Sequence, residues 1–101
     1  MTVYVAVHHW DTPDNEGVEI LGVFAKIEKA RAQIVAGAGA IRAEYDEDFW
    51  DDDMSCEEPN EIRLGHCARD YLELDTVYSW EISEQEIEYD LKFQGQNQKN
   101  R

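Results

Sequence analysis

Apolar and polar positions alternate from Thr2 to Trp10. Val3, Val5, Val7 and His9 fall on one side of the pattern, and Tyr4, Ala6, His8 and Trp10 on the other. Period two with two fairly apolar sides predicts a strand with a buried face. The segment DTPDNEG, Asp11 to Gly17, reads as a turn punctuated by Pro13 and Gly17. Val18 to Phe24 (VEILGVF) reads as a second strand and the hairpin partner of the first. After Phe24 the period lengthens. Ile27, Ala30, Ile34, Ala38, Ile41, Tyr45 and Phe49 recur every three or four residues, the stripe of an amphipathic helix packed across the hairpin. Gly37 and Gly39 weaken that helix by up to about 1 kcal/mol each relative to Ala, so a thin spot or break is expected near AGAGA.

Pro59 and Asn60 mark another turn. In EIRLGHCARDYLEL, Ile62, Ala68, Tyr71 and Leu72 line a short helix in one reading, and Ile62 and Leu64 alternate in a strand in the other; the helix is favoured. Val77 to Ile82 (VYSWEI) is a strand with Tyr78, Trp80 and Ile82 on one face. Glu84, Glu86 and Glu88 continue at period two and line one edge if the strand persists. The tail KFQGQNQKNR is polar and is expected to be disordered. The expected architecture is α+β: a small antiparallel sheet, made of an N-terminal hairpin and a C-terminal strand, packed against one main amphipathic helix. Residues 1–88 form one acidic domain and 89–101 a polar tail.

Charge changes this ordinary picture. The 101 residues carry nine Lys and Arg against twenty-three Asp and Glu, a formal net charge of -14. Duplex DNA carries one negative charge per ~1.7 Å of axis, so this charge matches roughly 24 Å of duplex. Such a chain is repelled by nucleic acid and by anionic membranes, and its natural partners are basic protein surfaces and cations. No segment approaches the ~18 apolar residues of a membrane span. The N-terminus, MTVYVAVHHW, lacks the basic region and long apolar run of a secretory signal. Cys56 and Cys67 have neither CxxC spacing nor the density of a disulfide framework, so a cytoplasmic protein with free thiols is expected.

The carboxylates are concentrated. Glu44 to Glu61 reads EYDEDFWDDDMSCEEPNE, ten carboxylates among eighteen residues with no Lys or Arg. Acids at a helix C-terminus oppose its macrodipole at up to ~1 kcal/mol each, and an ordinary surface intersperses both signs. A solvated loop is the plain alternative; the unrelieved charge favours a binding patch. Its candidate partner-binding residues are Glu44, Asp46, Glu47, Asp48, Trp50, Asp51, Asp52, Asp53, Glu57 and Glu58. Glu44, Glu47, Asp48, Asp51 and Asp52 are expected to share a helical face. Phe49 extends the apolar stripe and reads as core. Trp50 falls one position off it and, ringed by charge, suits an exposed interface anchor, with core packing as the alternative.

Other chemistry is weakly supported. Asp51, Asp53, Ser55 and Glu57 have the alternate spacing of an EF-hand loop, but Cys56 and Ile62 stand where the loop needs Gly and a bidentate Glu. His8 and His9 are adjacent in a strand and point to opposite faces, so with His66, Cys56 and Cys67 they make a poor zinc site. No nucleophile elbow, phosphate-binding glycine loop or Cys-His-Asp spacing is present. An enzyme is not expected, and no cofactor is implied.

The order of strand, turn, strand ending in GVF, then a helix opening with Glu28-Lys29-Ala30, resembles many small proteins encoded by phages and mobile elements. In size and acidity the chain resembles the DNA-mimic inhibitors of host defence, the anti-restriction and anti-CRISPR proteins. That resemblance, one of physical type, implies binding in the nucleic-acid cleft of a nuclease with carboxylates at phosphate positions. In a CRISPR effector the expected target is the groove that reads the short flanking motif of the DNA. An immunity protein or antitoxin against a basic nuclease toxin would use the same chemistry, and a divalent-cation-binding module is a third possibility.

Overall fold

In the computed structural model, residues 1–68 and 75–87 are described. Five strands, β1 (Thr2–Asp11), β2 (Glu16–Phe24), β3 (Cys56–Glu58), β4 (Glu61–His66) and β5 (Thr76–Glu86), form one antiparallel sheet in the order β2-β1-β5-β4-β3. One α-helix among the described residues, α1 (Ile27–Arg42), packs on it. The fold is therefore α+β, with the N-terminal hairpin and C-terminal strand in the expected places. β1 and β5 pair along ten residues, from Thr2 opposite Glu86 to Asp11 opposite Val77. The hairpin turn closes with Thr12 N–H donating to the Asn15 carbonyl at 2.9 Å.

Helix and sheet meet through small residues. Ala30, Ile34 and Ala38, spaced by four, are fully buried, as is Ala6 of β1 beneath them. Alanine brings the two backbones close, and the bulk of the core comes from Ile34, Ile62, Leu64 and Trp80. Their burial removes apolar surface from water and supplies the main force holding helix to sheet.

Two expectations change. First, α1 stops at Arg42, so Tyr45 and Phe49 do not continue its stripe. The Ala43 N–H still donates to the Gly39 carbonyl at 3.1 Å, and beyond it the chain makes two short 3-10 turns, Glu47–Phe49 and Asp52–Met54. Continuing the helix would have stacked like charges at i+3 and i+4 on its negative pole. Second, residues 61–66 are a strand and not a helix. Ile62 and Leu64 alternate inward opposite Trp80 and Tyr78, and this burial outweighs helical patterning. The rest of the favoured helix, residues 69–74, lies outside the described residues. β5 persists to Glu86, the condition set for an acidic edge: beyond Glu81 it pairs only with β1 among the described residues, Glu84 faces Tyr4, and Glu86 accepts a hydrogen bond from the Thr2 hydroxyl at 2.8 Å. Glu88 and the tail 89–101 lie outside the described residues.

The two edges of the sheet differ. β3 is three residues long and carries Glu57 and Glu58. β2 is nine residues long, pairs only with β1 among the described residues, and exposes Val18, Ile20 and Val23.

Candidate functional site

The acidic run is a strap laid across the C-terminal half of β4. Asp51 N–H donates to the Gly65 carbonyl at 2.8 Å, and Gly65 N–H donates to Ser55 Oγ at 3.1 Å. Gly65 is required by this approach, because a Cβ there would stand 2.6 Å from both Cβ and the carbonyl oxygen of Met54. His66 Nδ1 donates to the Phe49 carbonyl at 2.7 Å, an acceptor-only group that fixes the proton on Nδ1. Its ring stacks on Phe49 with centroids 3.9 Å apart.

The strap's aromatic residues turn inward and its carboxylates outward. Tyr45, Phe49 and Trp50 form a cluster with centroids 4.6 to 4.9 Å apart. The Tyr45 and Tyr78 hydroxyls are 3.2 Å apart. Trp50 is half-buried, packs edge-on to Tyr78 at 6.0 Å, and borders the core. The expectation of an exposed anchor at Trp50 is thus corrected: with Tyr45 and Phe49 it gives the strap a hydrophobic underside. Its indole N–H is buried without an acceptor among the described residues.

Glu44, Asp46, Glu47, Asp48, Asp52, Asp53 and Glu58 are exposed, and their side chains make no ion pair among the described residues. Two other candidates are partnered. Glu57 pairs with Arg42 at 2.6 Å. The half-buried Asp51 accepts a hydrogen bond from Cys67 N–H at 2.7 Å and so holds the strap to the end of β4. The shared helical face expected for Glu44, Glu47, Asp48, Asp51 and Asp52 does not exist; these residues occupy turns. Between strap and sheet lies a groove of about 470 Å³ lined by Arg42, Glu47, Trp50, Asp52, Ser55 and Leu64.

His8 and His9 do lie on opposite faces. His8 stacks on Trp80 at 4.5 Å, whereas His9 is exposed beside Glu81 at 3.3 Å. Among the described residues no group of three His, Cys, Asp or Glu side chains is arranged to hold a metal, and no helix is long and apolar enough to cross a membrane. Both cysteines are unbridged.

Tyr78 joins the strap to the hairpin. Burial pushes its phenol up to about 12, helped by the Tyr45 hydroxyl and by the negative charges of Glu44 and Asp14. Two acidic residues far apart in sequence therefore act on one half-buried tyrosine. Sequence reading missed Asp14 because it sits in an ordinary turn.

Comparison with protein-family models, with curated proteins and with solved structures finds no match to this chain.

Proposed function

We propose that the protein is a non-catalytic inhibitor that occupies the basic nucleic-acid groove of a DNA-binding nuclease, as anti-CRISPR and anti-restriction DNA mimics do. It acts in the host cytoplasm and needs no cofactor. The strap is the observation that supports this reading: seven exposed carboxylates without a paired cation among the described residues, on a backbone pinned at Asp51, Ser55 and Phe49. Self-repulsion among them weakens the free protein. A partner rich in Lys and Arg relieves it, and long-range attraction speeds the encounter.

The charge matches about 24 Å of duplex, enough to fill one groove and too little to replace a long DNA. Inhibition is therefore competitive. In a gel-shift assay, protein mixed with the nuclease first blocks DNA binding; protein added to a preformed enzyme–DNA complex has little effect within that complex's lifetime. Salt weakens the block, since exposed charge pairs are screened over a Debye length of ~8 Å at physiological ionic strength. A ternary complex of protein, nuclease and DNA would overturn the reading.

A further inference from the structure

The hairpin contains an irregularity that re-aims one side chain. Ala6 pairs with Gly22, but Val7 pairs with Ile20, so the register shifts between them and His8 faces Glu19. Unshifted pairing would have put Ile20 beside His8. Bulges of this kind commonly redirect a side chain near a binding site. On the other side of β1, His8 faces Trp80 and Trp10 faces Tyr78.

Trp10 leans toward β2. A Cβ on Gly17 would lie 2.4 Å from Trp10 Cζ2, so only glycine admits the indole here. The Trp10 indole N–H donates to Asn15 Oδ1 at 3.0 Å, and its ring meets His8 at 5.1 Å. His8 and Tyr78 lie nearly parallel, with centroids 6.1 Å apart. The rings of Trp10, His8 and Tyr78 thus bound a cavity of about 390 Å³, whose remaining wall includes Asp14 and Glu19. Both carboxylates are exposed, and neither has an ion pair among the described residues.

We propose that this cavity binds the guanidinium of an arginine presented by the protein partner. Aromatic faces attract a cation within about 6 Å of the ring centroid. A planar guanidinium stacks on an indole while its N–H groups reach carboxylates, which an ammonium does less well. The Ser79 carbonyl 3.0 Å from His8 Nδ1 only accepts, so that nitrogen carries the proton and a neutral His8 keeps Nε2 as an acceptor. The partner's being basic rests on the reading given under Proposed function; the cavity's affinity for guanidinium does not.

The test is titration of the full chain with blocked arginine, followed by NMR, with blocked lysine and the neutral isostere blocked citrulline as comparators. Saturable shifts are expected at the Trp10 indole and the Tyr78 ring with arginine, weaker ones with lysine and none with citrulline. Asp14→Asn combined with Glu19→Gln should weaken arginine binding by about tenfold while leaving the melting temperature unchanged. Equal shifts with citrulline, shifts confined to the acidic strap, or no saturable shift at Trp10 would each overturn the proposal. If the cavity fails this test but the protein still blocks DNA binding by a nuclease, the inhibitor reading stands alone. If arginine binds and no nuclease is blocked, the cavity stands alone.

Discussion

Gly37 of α1 lies directly over the indole of Trp80. A Cβ at this glycine would come 2.6 Å from Trp80 Nε1 and 3.1 Å from Cδ1. Trp80 is only 1% exposed and stacks on His8, so it has nowhere to move. Gly39, two residues on, faces open space.

The two glycines should therefore respond oppositely to alanine. Gly39→Ala should stabilise the protein by roughly 0.5–1 kcal/mol through helix propensity alone. Gly37→Ala gains the same propensity but overpacks the core at a cost of about 1–3 kcal/mol, so the net effect is destabilising. Urea denaturation of both variants checks the pair; equal shifts would show that the Trp80 contact is unimportant.

Trp50→Ala should lower stability by about 2–3 kcal/mol, somewhat less than a fully buried tryptophan, because its ring props the strap against Tyr78. Trp50→Phe loses ring area but also removes a buried N–H that has no acceptor among the described residues. It should cost under about 1 kcal/mol. Thermal melting of the two variants distinguishes a packing role from a purely interfacial one, in which neither would move.

If the proposed function holds, replacing Asp46, Asp48, Asp52 and Asp53 by Asn should weaken binding to the nuclease by orders of magnitude and leave stability unchanged or slightly raised. Asp51→Ala should behave differently. It removes the acceptor for Cys67 N–H and should destabilise the strap by about 1 kcal/mol or more. Calorimetric binding and denaturation on both variants test the division; a quadruple variant that unfolds would make the outward carboxylates structural.

Tyr78 sets an alkaline limit. Its phenol stays neutral in the folded protein up to about 12, against 10.0 for the ordinary side chain. The associated stability is fully present below about pH 10 and is lost as pH rises toward 12, because only the unfolded chain ionises in that window. Tyr78→Phe should flatten stability there, and Glu44→Gln or Asp14→Asn should bring the tyrosinate absorbance in at lower pH.

Periodicity exposed the hairpin, the helix and the final strand because each repeats for two turns or more. Ile62 and Leu64 offered only two alternating positions, and the competing helical spacing ran into Tyr71 and Leu72. What decided the strand was the neighbouring Trp80, a contact remote in sequence. Tyr45 and Phe49 fitted the helical stripe by spacing and pack inward as expected, but from turns. The acidic strap was visible as composition; its inward Trp50 and its partnered Asp51 were not, since both depend on β4 and its flank. The register shift that brings Glu19 beside His8 left no trace in the alternation of β1.

The free edge of β2 gives the net charge a second consequence. Nine residues of backbone there have one side without a strand partner among the described residues, and Val18, Ile20 and Val23 stand exposed along them. Such an edge is a template for adding another strand, and natural sheets commonly guard it with lysine or proline. This strand has neither. Mutual repulsion between molecules carrying -14 charges takes their place. Acidification toward the isoelectric point near 4.3 withdraws that protection and leaves the edges free to join, so the protein's colloidal behaviour is set by the same carboxylates to which we assign partner binding.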